Sequence, residues 1–477
     1  MPEVIKDFSS SNEEEILSHA KKIKGMTLAD IYKLKNTNSI ERLGHLSEDN
    51  KGSVGLFLEK YWFGFEPNNS PEPDFHAAGI ELKVCPIKKL KSSKLRTKER
   101  TKICMINYEE LDKEVWLSSH ARKKMQKILF VFYMFDNESW ESQKILDTSL
   151  WELQSDESLI EFEWEKTQLK VNMGKAHEIS ESGYQALTPS TAGIGTLQSQ
   201  PHSDIKAKQR AFSLRQSYVN HYWESIKSSK KFESIVDHFQ LKDARNIEQF
   251  LIDKISPYVG KKIGEIADNL DIPIKDLAKN SAPRLISKIL GIKEISKIKE
   301  FSQFGIGVKT TPVNAENNFK PHESMSFPKI VLKEFAVEEG YFDSSLSTYL
   351  ERLFIIPIHR STAKASDTPL KDRVLLKPFF WSPNEQQLDK IIEEWKMYQQ
   401  EVIDGKARVI RRKKQKNGFK EITGLTKSSG TEIIHMRPHG RNRKDRDEDP
   451  YGKTIVKQSF WLNNSFVQSL IISENQT

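Results

Sequence analysis

Cysteine is almost missing from this 477-residue chain, which holds only Cys85 and Cys104. Two cysteines exclude a disulfide framework, and without a CxxC pair they exclude a thiolate zinc site. Both are flanked by apolar residues in segments that read as strands, so buried reduced thiols are expected. No apolar run approaches the length of a membrane span. The opening Met1-Pro2-Glu3-Val4-Ile5-Lys6 lacks the character of a signal peptide. The expectation is a soluble, cytoplasmic protein with no membrane partner. An excess of negative charge is missing too: 74 Lys and Arg face 66 Asp and Glu, for a net charge of +8 and a pI near 9.0. That balance suits a polyanionic partner, although many soluble proteins are basic. Here the basic residues are clustered, with eight Lys or Arg in Lys88 to Lys102, seven in Arg408 to Lys420 and five in Arg437 to Arg446. Such runs serve either as solvated loops or as tracks for phosphates.

What is present is led by Pro73-Asp74-Phe75-His76-Ala77-Ala78-Gly79-Ile80-Glu81-Leu82-Lys83, which contains the pattern D-x6-E-x-K. In a strand side chains alternate between faces, so Glu81 and Lys83 project to one side and Leu82 to the other. Ile80, Leu82 and Val84 would anchor the strand, and Gly79 allows a tight turn into it. If Asp74 folds back to the same side, two carboxylates and an ammonium converge. Hard carboxylate oxygens suit Mg²⁺, and Mg²⁺ polarises a phosphodiester and acidifies a bound water. Lys83 would orient that water and offset charge on the phosphorus oxygens. This is nuclease chemistry, although an exposed Glu-x-Lys pair on a solvated strand edge would show the same letters.

Further blocks occur in a fixed order: Gly25-Met26-Thr27-Leu28, Lys51-Gly52-Ser53-Val54-Gly55-Leu56-Phe57-Leu58-Glu59, Gly79-Ile80-Glu81-Leu82-Lys83, His120-Ala121-Arg122-Lys123-Lys124, Gly174-Lys175-Ala176-His177 and Ala211-Phe212-Ser213-Leu214. With them the chain resembles the MutH family, the GATC-specific endonucleases of mismatch repair. It is more similar still to the longer restriction endonucleases that cut at GATC and carry two MutH-like halves. The resemblance implies catalytic roles for Glu59, Asp74, Glu81, Lys83 and Lys124. It implies metal ligation by Asp74, Glu81 and the Leu82 backbone carbonyl, and DNA contact by Lys51 and Arg122. Lys51 and Lys124 would otherwise be ordinary surface residues, and Lys124 has the stronger support, from His120 and Arg122 in its block.

The second half repeats the first. Gly79-Ile80-Glu81-Leu82-Lys83 aligns with Gly305-Ile306-Gly307-Val308-Lys309, Trp164 and Gly174 with Trp395 and Gly405, and Phe212-Ser213-Leu214 with Phe460-Trp461-Leu462. Trp381-Ser382-Pro383-Asn384-Glu385 resembles a family segment that the first half lacks. Gly307 stands where Glu81 does, and Ser287 where Glu59 does. Glu300 falls at the Asp74 position and Lys309 at the Lys83 position, which leaves one carboxylate and a lysine, too few for a metal site. The second copy is read as catalytically dead. Arg437-Pro438-His439 matches the family's R-P-K segment in its DNA-reading region, so Arg437, His439 and Trp461 are expected on DNA, Arg437 against guanine in the major groove. Aromatic residues there would equally serve as core. In the first half Leu187-Thr188-Pro189-Ser190 stands at that segment without the flanking cations.

Strands interleaved with helices indicate an α/β fold: two tandem restriction-endonuclease-like domains of the PD-(D/E)xK, MutH-like type, each a mixed sheet flanked by helices. They are expected over 1–225 and 226–477, joined by a linker at Ser225 to Lys231. One helical pattern covers 13–35 and others cover 53–63, 119–126 and 156–173, with strands at 79–87, 101–107 and 127–134. The expected activity is that of a Mg²⁺-dependent type II restriction endonuclease cutting double-stranded DNA before the G of GATC, with the second domain holding a second site as an effector. Its expected partners are GATC-containing DNA, a second copy in a DNA-induced dimer and a cognate methyltransferase. The alternatives are a mismatch-repair-type nicking enzyme and a non-catalytic DNA-binding regulator.

Overall fold

The computed structural model describes residues 8–35, 53–65, 71–89, 95–135, 139–193, 196–227, 232–273, 281–292, 294–415, 418–440 and 445–476. The chain divides into two compact units, Met1–Lys230 and Lys231–Thr477.

In the first unit the strands are β1 (Ile80–Lys89), β2 (Leu95–Thr97), β3 (Thr101–Met105), β4 (Lys127–Met134), β5 (Lys144–Glu152), β6 (Leu187–Thr191), β7 (Leu197–Gln200), β8 (Ser203–Lys208) and β9 (Arg210–Leu214). One sheet runs β2-β1-β4-β5, a second β3-β9-β6, and β7 and β8 form a hairpin. β1 and β4 are parallel, with Glu81 opposite Ile128 and Lys83 opposite Phe130. Ile128 to Phe132 are all at most 1% exposed, as expected of a strand covered on both faces. Cys85 and Cys104 are buried free thiols, and burial pushes the Cys104 thiol up to about 12.

Two expected elements are corrected. The helical pattern over 13–35 is two helices, Glu13–Lys21 and Leu28–Lys35. The break falls at Gly25, whose φ of +87° is left-handed and costs a glycine little. The amide of Gly25 donates to the Ile145 carbonyl at 2.8 Å, which pins the break to β5. The expected linker also starts too early, because the helix Gln216–Lys227 runs through Ser225. Residues 228–231 of it lie outside the described residues.

The second unit contains β10 (Ile306–Asn314), β11 (Lys320–Pro321), β12 (Met325–Ile330), β13 (Arg352–His359), β14 (Val374–Leu375), β15 (Phe379–Trp381), β16 (Val409–Gln415), β17 (Gly418–Thr423), β18 (Ile434–Pro438), β19 (Arg446–Glu448), β20 (Thr454–Val456) and β21 (Gln458–Leu462). Its main sheet runs β11-β10-β13-β14, with β15 also on β13, and a second runs β12-β21-β18. β10 and β13 are parallel, with Gly307 opposite Leu353 and Lys309 opposite Ile355.

The units repeat each other bond for bond. Gly25 N to Ile145 O at 2.8 Å has its counterpart in Gly260 N to Leu375 O at 2.8 Å, and Leu28 N to Gln143 O in Ile263 N to Arg373 O. In the helix Glu157–Asn172, the Glu163 carboxylate accepts the amides of Gln185, Ala186 and Leu187 at the start of β6. In the helix Glu385–Ile403, Glu394 accepts those of Glu432, Ile433 and Ile434 at the start of β18. Each glutamate precedes a tryptophan that is 1% exposed, Trp164 or Trp395. Asn384 and Gln387 form a capping box on the second helix, which gives the Trp381 to Glu385 segment a helix-starting role.

A buried amide that loses its acceptor costs about 1–3 kcal/mol. Glu394→Ala orphans amides at the head of β18, so it is expected to lower stability by about 3 kcal/mol. The melting temperature should fall by about 6–12 °C. A fall under about 2 °C in a calorimetric scan would show that the carboxylate is not a structural cap.

Candidate active site

Asp74 reaches β1 by folding back. After it the chain makes a short 3₁₀ turn, His76–Ala78, and enters β1 through Gly79 at φ +65°. The Asp74 Oδ2 accepts the Leu82 amide at 2.8 Å, which sets its carboxylate between Glu81 and Lys83. This explains the spacing: the intervening residues close a turn that returns the acid to the strand it precedes.

Glu81 is 2% exposed. Its Oε1 accepts from Lys83 Nζ at 2.6 Å, and both its oxygens accept from Lys124 Nζ at 3.1 Å. Lys124 is delivered by the helix His120–Met125, whose N-cap Ser119 accepts the Arg122 amide. Glu59 comes from the π-helical turn Leu58–Phe63. Gly55, one turn earlier, lies so close to β1 that an added Cβ would sit 3.5 Å from Val84 and 4.0 Å from Glu59 Oε1.

The acids press on one another. Burial, then the charge of Glu81, raises the Asp74 carboxyl above its ordinary value. Burial, then the charge of Asp74, does the same for Glu59. Asp74, Glu81 and the adjacent Leu82 carbonyl form a hard-oxygen donor set of the kind Mg²⁺ takes, and a cation there would relieve the repulsion. The donor chemistry therefore fits the metal. Among the described residues no three His, Cys, Asp or Glu side chains close on one point, so the backbone carbonyl and water would complete the shell.

This repulsion has a stability consequence. With both values raised, protonation stabilises the metal-free fold; that stability is complete below the ordinary carboxylate range and is lost as pH rises through the raised values. Asp74→Asn keeps an acceptor for the Leu82 amide but removes the charge. In EDTA above pH 7 its melting temperature should exceed that of the unsubstituted protein by about 2–4 °C. It should lose most of the rise that Mg²⁺ produces in the unsubstituted chain. Equal melting in EDTA would refute the repulsion argument.

The other expected site residues are placed variously. Arg122, expected on DNA, is paired with Glu157, Nε to Oε1 at 2.7 Å, which ties it to the helix Glu157–Asn172. Lys51 lies outside the described residues. His120, from the same block as Lys124, also belongs to this site. Its ring bonds the Pro71 backbone, and burial, then the Lys124 charge, lowers its pKa. It ties the helix carrying Lys124 to the segment carrying Asp74. Its place in the same motif as Lys124 was the available signal.

At the equivalent place in the second unit, a Cβ on Gly307 would meet Leu353 at 3.1 Å. Glu300 accepts Ser234 Oγ at 2.7 Å and the Ile235 amide at 2.9 Å, capping the helix Ile235–His238. It is 2% exposed and committed to that cap. Lys309 donates to the Ser326 carbonyl at 2.5 Å and lies 4.7 Å from the Phe327 ring centroid.

Arg437, His439 and Trp461 come together on the β12-β21-β18 sheet. The guanidinium of Arg437 stacks 3.7 Å from the Trp461 ring centroid, and the His439 ring lies 4.8 Å from it. Arg437 is exposed, so its donor edge is open to a ligand. In the first unit the register pairs Pro189 with Phe212, as Met436 pairs with Phe460. Ser190, not Thr188, therefore occupies the Arg437 place, two positions from the alignment by proline. Its hydroxyl meets that of Ser213 at 2.7 Å. The strands β16 and β17 form the basic hairpin, but the side chains of 410–421 and all of 441–444 lie outside the described residues.

Comparison with known proteins adds the following. A family model described as "DNA mismatch repair enzyme MutH" matches residues 63–161 and 290–394, once in each unit. The chain is 30% identical over 471 residues to the type II restriction enzyme Sau3AI of Staphylococcus aureus, covering 90% of this chain and 94% of that protein. It is 32% identical over 119 residues to the DNA mismatch repair protein MutH of Shigella flexneri and to that of Escherichia coli strain SMS-3-5, covering 25% of this chain and 48% of each relative. No helix among the described residues is long and apolar enough to cross a membrane.

Proposed function

This chain belongs to the MutH family of DNA-cleaving enzymes, and from that premise we propose that it is a magnesium-dependent type II restriction endonuclease cutting double-stranded DNA before the G of GATC. The observation that carries the reading is the cluster that Asp74 and Lys124 form with Glu81 and Lys83 of β1 in the first unit, within a chain that aligns over nearly its whole length with a type II restriction enzyme.

Asp74, Glu81 and the Leu82 carbonyl would hold Mg²⁺, with Glu59 beside them. When bound, the ion supplies Lewis acidity and a more acidic water. Hydrolysis forms a bond from a water oxygen to phosphorus and breaks a phosphorus–ester oxygen bond, with negative charge gathering on the non-bridging oxygens. The Lys83 ammonium is positioned to orient the water and offset that charge. Lys124, clamped on both Glu81 oxygens, fixes the carboxylate's direction and so acts as a positioning residue. His120 and Ser119 in turn hold the Lys124 helix in place.

The second unit lacks counterparts of Glu81 and Glu59, spends Glu300 on a helix cap and keeps a cationic aromatic face at Arg437, His439 and Trp461, which suits it to bind DNA without cutting. We assign it a second GATC site whose occupancy favours cleavage by the first unit, a coupling between two sites. The proposed assembly includes a dimer formed on DNA and a methyltransferase that protects host sites. A nicking enzyme of the mismatch-repair kind is the second reading, favoured by the 32% identity over 119 residues to MutH proteins; the family match in both units favours restriction over it.

Digestion of unmethylated, adenine-methylated and cytosine-methylated plasmids, with Mg²⁺ and with EDTA, tests the proposal. Linear fragments ending in GATC 5′ overhangs, formed only with Mg²⁺ and blocked by one methylation, are expected. Open circles as the final product would select the nicking reading, and no cleavage of any plasmid would refute both. A plasmid with two sites should be cut faster than one with a single site, and Arg437→Ala should lower that ratio. Equal rates on the two plasmids would refute the effector role.

A further inference from the structure

We propose that the vestigial catalytic pocket of the second unit is a phosphate-binding site, in which the Lys309 ammonium holds a DNA phosphodiester directly. The inference rests on the reading that this unit binds DNA, and it names the group that grips the backbone.

The argument begins with register. Lys309 leaves β10 opposite Ile355 of its parallel neighbour, as Lys83 leaves β1 opposite Phe130. In the first unit Glu81 neutralises that lysine at 2.6 Å. In the second unit Gly307 contributes no side chain, and Glu300 is spent on capping a helix. Among the described residues no carboxylate pairs with Lys309. Its contacts are a backbone carbonyl and the face of Phe327. Burial alone lowers its pKa to about 8.

A half-buried ammonium with no counter-charge is unfavourable unless an anion comes to it. Space for one lies next to it. Phe327, against whose ring the Lys309 ammonium rests, lines a cleft of about 650 Å³ together with Lys329, His439, Asp445 and Lys457. Asp445 is the carboxylate in that lining, and it is engaged by Lys329 and by Lys457. The charges of Lys329, Arg437 and, more weakly, Lys309 all bear on His439, with Asp445 opposing them, so cations outnumber the carboxylate around this ring. A phosphodiester fits this chemistry: a single delocalised negative charge for Lys309, with Arg437, whose charge bears on the same His439 ring, left to address a base edge. The loss of Glu81's counterpart is then a change of ligand, from a metal-bound phosphate to one held by lysine.

The test uses the full chain in EDTA, so that no cleavage intervenes. Pyridoxal 5′-phosphate, an aldehyde carrying a phosphate, condenses with an amine to an imine with loss of water, and borohydride then fixes it. Peptide mapping after reaction at pH 8 should find Lys309 labelled, and a GATC duplex should lower that labelling by about tenfold, the effect of one charged hydrogen bond. Lys309→Met, which keeps the apolar stem on Phe327, should lower the ratio of two-site to one-site plasmid cleavage as Arg437→Ala does. Lys309→Arg, which keeps the charge, should retain it. Undiminished labelling in the presence of DNA would overturn the proposal. So would a Lys309→Met protein that keeps the ratio while Arg437→Ala loses it, and in that case DNA binding by the second unit still stands. If both variants keep the ratio, the second unit is not a DNA effector and the Lys309 site falls with that reading.

Discussion

Cleavage should disappear in Asp74→Ala and in Glu81→Ala, with rates at least about 10³-fold below those of the unsubstituted enzyme, the loss expected when a metal's contribution of several kcal/mol is removed. The two variants should fail for related but distinguishable reasons. Asp74→Ala frees the Leu82 amide and removes one acid from a site whose acids repel one another, so the fold should tolerate it. Glu81→Ala strips the shared partner from Lys83 and Lys124 and leaves two ammoniums, one buried and one half-buried, without it. Its melting temperature should fall, while its affinity for duplex DNA should hold or increase. Binding of a GATC duplex by both proteins, measured by anisotropy in EDTA, separates loss of chemistry from loss of recognition. Cleavage within tenfold of the unsubstituted rate by either variant would overturn the site assignment.

Lys83→Ala should lower the cleavage rate by about 10² to 10³-fold, the usual cost of deleting one donor aimed at developing charge. Yet Mg²⁺ should still raise its melting temperature, because the donor set is intact. The cation should bind at least as tightly, since Glu81 loses one of its two ammonium partners and Lys124 remains on both carboxylate oxygens. Lys124→Met inverts the emphasis. It releases the Glu81 carboxylate from its clamp, so the Mg²⁺ concentration needed for half-maximal rate should shift along with the maximal rate. If Lys83→Ala abolished the Mg²⁺-induced melting shift, Lys83 would be acting on metal affinity, and its role in the chemical step would have to be withdrawn.

The core of the site was readable from residue order because it depends on local geometry. Strand alternation puts Glu81 and Lys83 on one side, and Gly79 permits the turn that brings Asp74 back. The repeat was readable for the same reason: paired glycines, tryptophans and apolar strands recur at matched spacing, and in the structure they make matched backbone bonds. The expectation that the second copy holds no metal rests on two letters, Gly307 at the Glu81 place and Ser287 at the Glu59 place.

What the chain alone did not reveal depends on contacts between residues far apart in sequence. Nothing in the spacing of Arg122 indicates that Glu157 captures it, and Glu300 looks like a ligand until its carboxylate is seen capping a helix. Glu163 and Glu394 carry no local signal of a role, yet each gathers the amides at the head of a strand, 24 and 40 residues away. Alignment by proline put Thr188 at the Arg437 place, whereas pairing across β9 and β21 put Ser190 there. Periodicity states which face a side chain takes within its own element. Which partner it meets is decided by strand register and by where helices land on the sheet, and these follow from the packing of the whole unit.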